Sequence, residues 1–204
     1  MAGEIPRRPT SLQRQKQQVT VDALIDAARR GMIEHGLDVT VDDIAALAGV
    51  GRRTVFRHFP TREDLLREAL AESFTRYVRA LPDYSGGDWL AWLTDVALVS
   101  HQTVARAGRL LWDLRTRRLP SRLVEPRDRF QRVLGDIAET LWQAAGGEGA
   151  APRELRQAVA AHLSPMFTQA VLLDADGTPE LAAELATDAI AATVRGLVNP
   201  TSAA

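Results

Sequence analysis

The stretch TVDDIAALAGVGRRTVFRHF, residues 40–59, decides how the rest of the chain is read. Thr40 followed three positions later by Asp43 marks a helix start. A hydroxyl there caps a free backbone N–H, and early acids suit the positive end of the helix dipole. Ile44, Ala45, Leu47 and Ala48 then supply a short apolar face. Gly49 follows, fitting a turn whose backbone geometry penalises a side chain, and Val50 lies beyond it to pack back. A second short helix directs Val50, Val55 and Phe59 inward and leaves Arg52, Arg53, Thr54 and His58 outward. Helix, turn and helix with a guanidinium-rich outer face is the pattern of a DNA reader, because Arg reaches both phosphates and the O6/N7 edge of guanine.

The longer run VTVDDIAALAGVGRRTVFRHFPTREDLL, residues 39–66, resembles the DNA-binding signature of the tetracycline-repressor (TetR) family. The matching elements are Thr-Val-x-x-Ile-Ala from Thr40, Ala-Gly-Val from Ala48, Thr-hydrophobic-aromatic-x-His-Phe from Thr54, and Arg-Glu-x-Leu-Leu from Arg62. Several fixed spacings match together, which makes the signal specific. The resemblance covers roughly the first 80 residues; the remainder is similar to the family in length and helical character.

The resemblance implies roles residue by residue. Thr54 matches a position that touches DNA, and His58 one that usually contacts a phosphate. Phe56 departs from the pattern: members most often carry Tyr there, whose hydroxyl bonds a phosphate, whereas Phe keeps the packing without the donor. Gly51 replaces a frequent Ser and Arg53 a frequent small residue, so this recognition helix is more cationic than usual. Arg57 suits groove or backbone contact. Thr40 and Arg62 are phosphate-contact candidates, with capping and plain solvation as the alternatives. The expected DNA-contacting set is therefore Thr40, Arg52, Arg53, Thr54, Phe56, Arg57, His58 and Arg62.

Composition bounds the alternatives. With 204 residues the chain holds one large or two small domains, and 46% hydrophobic with 25% charged residues is ordinary for a globular protein. There is no cysteine, which excludes disulfides and thiolate metal sites. Residues 1–80 carry 13 Arg+Lys against 11 Asp+Glu, and the remainder 12 against 15. That asymmetry is too small to locate the site by charge alone. The opening residues lack the apolar stretch of a secretory signal, and the run Trp89–Val99 is short and carries Asp95. A cytoplasmic protein without a membrane span is expected.

Outward from the deciding stretch, the spacing predicts an all-α chain of about nine helices. Residues 1–17, with Pro6, Pro9, Arg14 and Lys16, read as a flexible basic arm. Residues 18–81 form the helix-turn-helix unit. Val21, Leu24, Ile25, Ala28, Met32 and Ile33 recur at helical spacing and Gly36 stops that helix. Pro60 ends the recognition helix, and Thr61-Arg-Glu-Asp caps the next, which runs to about Leu81. LPDYSGGD, residues 81–88, is the best boundary. Residues 82–204 then read as helices over Trp89–Ala107, Arg109–Arg118, Glu125–Ala145, Pro152–Asp174 and Pro179–Val198. Pro165 should bend or break the fourth of these.

The last two helices carry more apolar surface than solvated helices need, which suits pairing with a second copy. The resemblance implies the same, and it also implies a C-terminal effector-binding domain. Trp89, Trp92, Trp112, Phe130, Trp142, Met166 and Phe167 are candidate pocket walls, with His101 and His162 as polar anchors; plain core is the alternative for each. No cofactor or metal is expected. The four histidines are dispersed, and adjacent Ser100 and His101 fall on different helix faces, so no catalytic constellation forms. The reading is a ligand-responsive repressor that binds a near-palindromic operator as a homodimer. An activator, or an architectural DNA-binding protein without effector, is the alternative.

Overall fold

The computed structural model describes residues 11–199, which contain helices and no strand. Ten α-helices follow in order: α1 Ser11–His35, α2 Val41–Ala48, α3 Arg52–His58, α4 Arg62–Ala80, α5 Trp89–Arg106, α6 Arg109–Thr116, α7 Val124–Ala144, α8 Arg153–His162, α9 Pro165–Gln169 and α10 Pro179–Val198. A π-helical turn, Ala170–Asp174, prolongs α9, and 3-10 turns at Gly36–Asp38 and Ser121–Leu123 lead into α2 and α7. The helix beyond the expected nine comes from Pro165. Ser164 takes an extended backbone, and its side chain accepts from the Phe167 N–H, so α9 starts afresh with Pro165 in its first turn.

Helix α1 begins at Ser11, not at Gln18, so residues 11–17 belong to a helix and not to an arm. No Gly or Pro interrupts the chain from Ser11 to Arg30, and its Gln, Arg, Lys and Leu residues favour helix. These first turns are exposed, so local propensity carries them. The rest of the expected arm, residues 1–10, lies outside the described residues. Further on, Leu24, Ala27, Ala28, Gly31 and Met32 make the buried stripe of α1. Gly31 marks a close crossing: a Cβ there would stand 2.6 Å from Val39 Cγ2.

Two cores form. The first joins α1 to α4 through Leu24, Met32, Ile44, Val55, Leu65 and Leu66. Leu110 of α6 and Leu123 enter that same core, so the N-terminal unit is closed by residues from beyond the 81–88 loop. The second core unites α5, α7, α8 and α10 around Leu93, Val96, Leu141, Leu155, Leu163 and Ile190. Helix α4 spans both. Its first half packs Leu65, Leu66 and Ala69 into the first core, while Tyr77 near its end reaches Ser100 of α5, with 3.0 Å between the hydroxyls. Ser100 donates to the Val96 carbonyl, so the Tyr77 hydroxyl is the donor between them. Burial pushes the Tyr77 phenol above its ordinary range, which keeps it protonated for that role.

Candidate nucleic-acid interface and interdomain cavity

Thr40 caps α2 through a reciprocal pair. Its hydroxyl oxygen accepts from the Asp43 N–H at 3.1 Å, and the Asp43 carboxylate accepts from the Thr40 N–H at 2.9 Å. The Thr40 hydroxyl also donates to Asp43 at 2.7 Å, which holds that carboxyl below its usual range. Gly49 ends α2 at φ +66°, where its N–H reaches the Ala45 and Ala46 carbonyls. Arg30 of α1 donates to the Leu47 carbonyl at 3.1 Å, tying the end of α2 to the supporting helix. Val55 and Phe59 are buried and fix which side of α3 faces outward. Leu47 does not join the apolar face expected for α2; it is 38% exposed, because Ile44 and Ala45 already fill the inward arc.

On the outward side of α3, Arg52, Arg53, Phe56 and Arg57 are exposed, and Thr54 and His58 are half-buried. Arg52 is not free. It pairs with Asp42 of α2 at 3.0 Å, and its guanidinium lies over the Phe56 ring at 5.5 Å from the centroid. Arg53 and the Thr54 hydroxyl make no hydrogen bond or ion pair among the described residues. Arg57 approaches the His58 ring nitrogen at 3.4 Å. Arg62 is turned into the protein: it donates to the Val39 carbonyl at 2.7 Å and to the Leu37 carbonyl, with Glu63 at 3.4 Å. Its donors satisfy the backbone that leads into α2, which leaves little for an outside phosphate. Asp42 was not foreseen as the partner of Arg52, because ten positions of sequence separate them and only the turn brings them together.

The aromatic residues expected to wall a pocket are mostly used elsewhere. A cavity of about 410 Å³ opens between the two cores, and of the nine candidates only Phe130 lines it. Trp92 donates to the Pro82 carbonyl at 2.8 Å and packs edge-on to Tyr84, pinning the 81–88 loop. Trp89 packs partly buried against the second core. Trp142 donates to the Glu148 carbonyl at 3.1 Å and presses on Gly147, where a Cβ would stand 2.1 Å from the indole. Trp112 and Met166 face solvent, at 49% and 39% exposure. Phe167 sits between His101 and His162, with ring centroids 5.8 Å and 5.3 Å away.

His162 is anchored to the Ala158 carbonyl of its own helix at 2.8 Å. His101 is fully buried; its Nδ1 meets the Thr168 hydroxyl at 2.7 Å and its Nε2 has no partner among the described residues. Burial without a charge partner lowers its pKa to about 4, so the ring stays neutral.

The cavity wall comes from both halves of the chain. Helix α1 gives Arg29 and Ile33, and α4 gives Leu70, Ser73, Phe74, Arg76 and Tyr77. Helices α5, α6 and α7 add Thr103, Arg106, Leu110, Leu111, Leu114 and Gln131 beside Phe130. The apolar ones among these look like ordinary core positions in sequence. What makes them a wall is the gap left where the two cores fail to meet.

A capped short helix, a left-handed glycine turn and a second helix with a cationic outer face define a helix-turn-helix unit on an all-helical scaffold. Residues 24–69 match the model of the bacterial regulatory proteins of the tetR family. The match is to this helix-turn-helix unit and leaves the rest of the chain outside it. It is 51% identical over 45 residues to the HTH-type transcriptional repressor LfrR of Mycolicibacterium smegmatis, covering 22% of this chain and 23% of that protein. It is 41% identical over 78 residues to the HTH-type transcriptional regulator LuxR of Vibrio harveyi, covering 38% of this chain and 36% of that one. The chain thus matches well under half the length of either relative. A transcriptional regulator from Rhodococcus sp. superposes with a TM-score of 0.69 at 19% identity, over 86% of this chain and 96% of that structure, and shares the fold. No helix among the described residues is long and apolar enough to cross a membrane.

Proposed function

We propose that the protein is a ligand-responsive transcriptional repressor that binds a near-palindromic operator as a homodimer. The observation that carries the DNA-binding reading is the outer side of α3: Arg52, Arg53 and Arg57 exposed along one short helix, with Arg53 unpaired among the described residues. Inserted in a major groove, Arg52 and Arg53 reach guanine edges, Phe56 offers an apolar surface to a thymine methyl, and Thr54, Arg57 and His58 meet the groove wall and phosphates. Thr40 contributes at the α2 start through a hydroxyl already engaged by Asp43. Arg62 acts behind the interface by holding the Leu37 and Val39 carbonyls. Phosphate contacts set the register and base contacts the specificity.

The dimer forms through the last helices. Leu181 and Leu185 of α10 remain exposed although Ala182, Ala183, Ala186 and Ile190 are buried within the subunit, leaving an apolar strip for the same strip of a second copy. Two recognition helices related by that axis meet half-sites about one helical turn, roughly 34–36 Å, apart. The cavity supports the ligand-responsive sense, since its wall includes α1 and α4, which also hold the helix-turn-helix. A ligand that prefers one arrangement of these helices shifts the spacing of the recognition helices, and one without such preference releases nothing. The same cavity speaks against the effector-independent architectural reading. The repressor sense follows the name of the partial relative LfrR.

Fluorescence anisotropy against a fragment upstream of the protein's own gene, with scrambled competitor and at two salt concentrations, tests the reading. Binding that survives competitor and weakens by about 1–3 kcal/mol in Arg53→Ala on the operator alone is the expected result. If neither that fragment nor a selection from random sequence yields a preferred site, the regulator reading falls.

A further inference from the structure

The cavity wall is chemically one-sided. Among its described lining residues are three arginines, Arg29, Arg76 and Arg106, and no aspartate or glutamate. Two of the three are already matched. Arg29 pairs with Asp26 at 3.0 Å and donates to Ser73 at 3.1 Å. Arg76 pairs with Glu72 at 2.8 Å and lies 3.7 Å from Asp26. Arg106, the last residue of α5, makes no hydrogen bond or ion pair among the described residues. Glu180 senses its charge through space, but that carboxylate accepts from Gln102 at 3.1 Å and is not in contact with it. Thr103, one turn earlier on α5, and Gln131 of α7 also line the cavity, and their side chains have no hydrogen-bond partner among the described residues. The same wall carries a row of rings: Phe74 to Tyr77 at 6.4 Å between centroids and Tyr77 to Phe130 at 5.6 Å.

We propose that this cavity binds a small organic monoanion, a carboxylate carried on a flat apolar body. The guanidinium of Arg106 takes the head group and the ring row takes the body. A carboxylate leaving water needs charged and hydrogen-bonding partners, which Arg106, Thr103 and Gln131 offer, and Arg106 is the one lining arginine without a carboxylate partner among the described residues. A cationic amphiphile meets three guanidinium groups there and no acid in the wall. A neutral one gains the apolar contact alone. The volume of about 410 Å³ lies in the range of small-molecule sites. This assignment rests on the ligand-responsive reading for its biological sense, but the binding chemistry stands by itself.

Three probes sharing one body decide it: a biphenyl carboxylate, the matching biphenyl methanol and the matching biphenyl methylammonium, titrated by calorimetry into the full-length protein. The carboxylate is expected to bind at least about tenfold more tightly than the alcohol, and the ammonium weakest. Arg106→Gln should bring the carboxylate down to the affinity of the alcohol and leave the alcohol unchanged, which a merely structural residue would not do. Three results overturn the proposal: no binding by any probe, an alcohol or ammonium that matches the carboxylate, or a preference that survives Arg106→Gln. A carboxylate that binds as expected but leaves operator affinity unmoved sinks the ligand-responsive reading and keeps the site.

Discussion

The Asp113 carboxylate accepts a 2.8 Å hydrogen bond from the backbone N–H of Leu37, across 76 positions of sequence. Asp113 is buried on α6, and Leu37 sits in the turn that leads into the helix-turn-helix. Arg117 approaches Asp113 at 3.3 Å and Asp38 at 2.8 Å, while Arg109 reaches Asp38 at 3.1 Å. The Arg117 contact, first among several, holds the Asp38 carboxyl below its usual range. Gly36 makes the approach possible, since a Cβ there would stand 2.2 Å from the Asp113 oxygen and φ is +61°. Helix α6 is thereby latched to the helix-turn-helix unit.

Asp113→Ala is expected to destabilise the protein by about 1.5–3 kcal/mol, because it strands a buried N–H and removes a charge-assisted bond. Asp113→Asn keeps an acceptor and should cost less. Urea denaturation of the two variants checks both the size and the order; equal stability of Asp113→Ala and the parent would refute the latch.

On the recognition helix, Arg52 is held by Asp42 at 3.0 Å, so DNA must compete with that carboxylate. Exposed pairs are worth about 0–1 kcal/mol, so Asp42→Ala should tighten DNA binding by up to about fivefold, and it also removes an acid from the phosphates' neighbourhood. The part of the gain that comes from freeing Arg52 should vanish in the Arg52→Ala background. An anisotropy titration in which Asp42→Ala binds more weakly than the parent would rule this out.

His101 ties stability to pH. Its folded pKa is about 4 against an ordinary 6.5, so the unfolded chain takes up the proton first. Its contribution is complete above about pH 6.5 and is lost as pH falls towards 4, roughly 3 kcal/mol over that window. The lowered carboxylates Asp38, Asp43 and Asp64 add their own loss only at more acid pH. Denaturation at several pH values should show a slope between pH 4 and 6.5 that His101→Gln flattens; an unchanged slope would place its origin elsewhere.

For the subunit interface, Leu185→Glu changes a residue that is 45% exposed on α10 and leaves the buried Ala182–Ala186–Ile190 face intact. Sedimentation equilibrium should find the parent dimeric and the variant monomeric with unaltered helicity. A dimer that persists in the variant would move the interface away from this strip.

The sequence by itself determined the helices and the helix-turn-helix. Helix starts and stops are written in short-range chemistry: Thr40 with Asp43, Gly49 in its left-handed turn, Thr61 with Asp64, and Pro165 breaking a helical run. Each acts over a few residues and is legible without knowing what packs where. The outward direction of Arg52 and Arg53 followed in the same way from Val55 and Phe59 on a seven-residue helix. Only the tertiary structure decided which residues wall the cavity, because a void depends on how two cores meet and no periodicity records that. Trp92 and Trp142, large and aromatic, looked like pocket walls but turned out to fasten loops through their indole N–H groups. Leu110 belongs to the first core and lines the cavity as well, Phe74 lines the same cavity, and Arg106 stands out only because no hydrogen bond or ion pair engages it among the described residues.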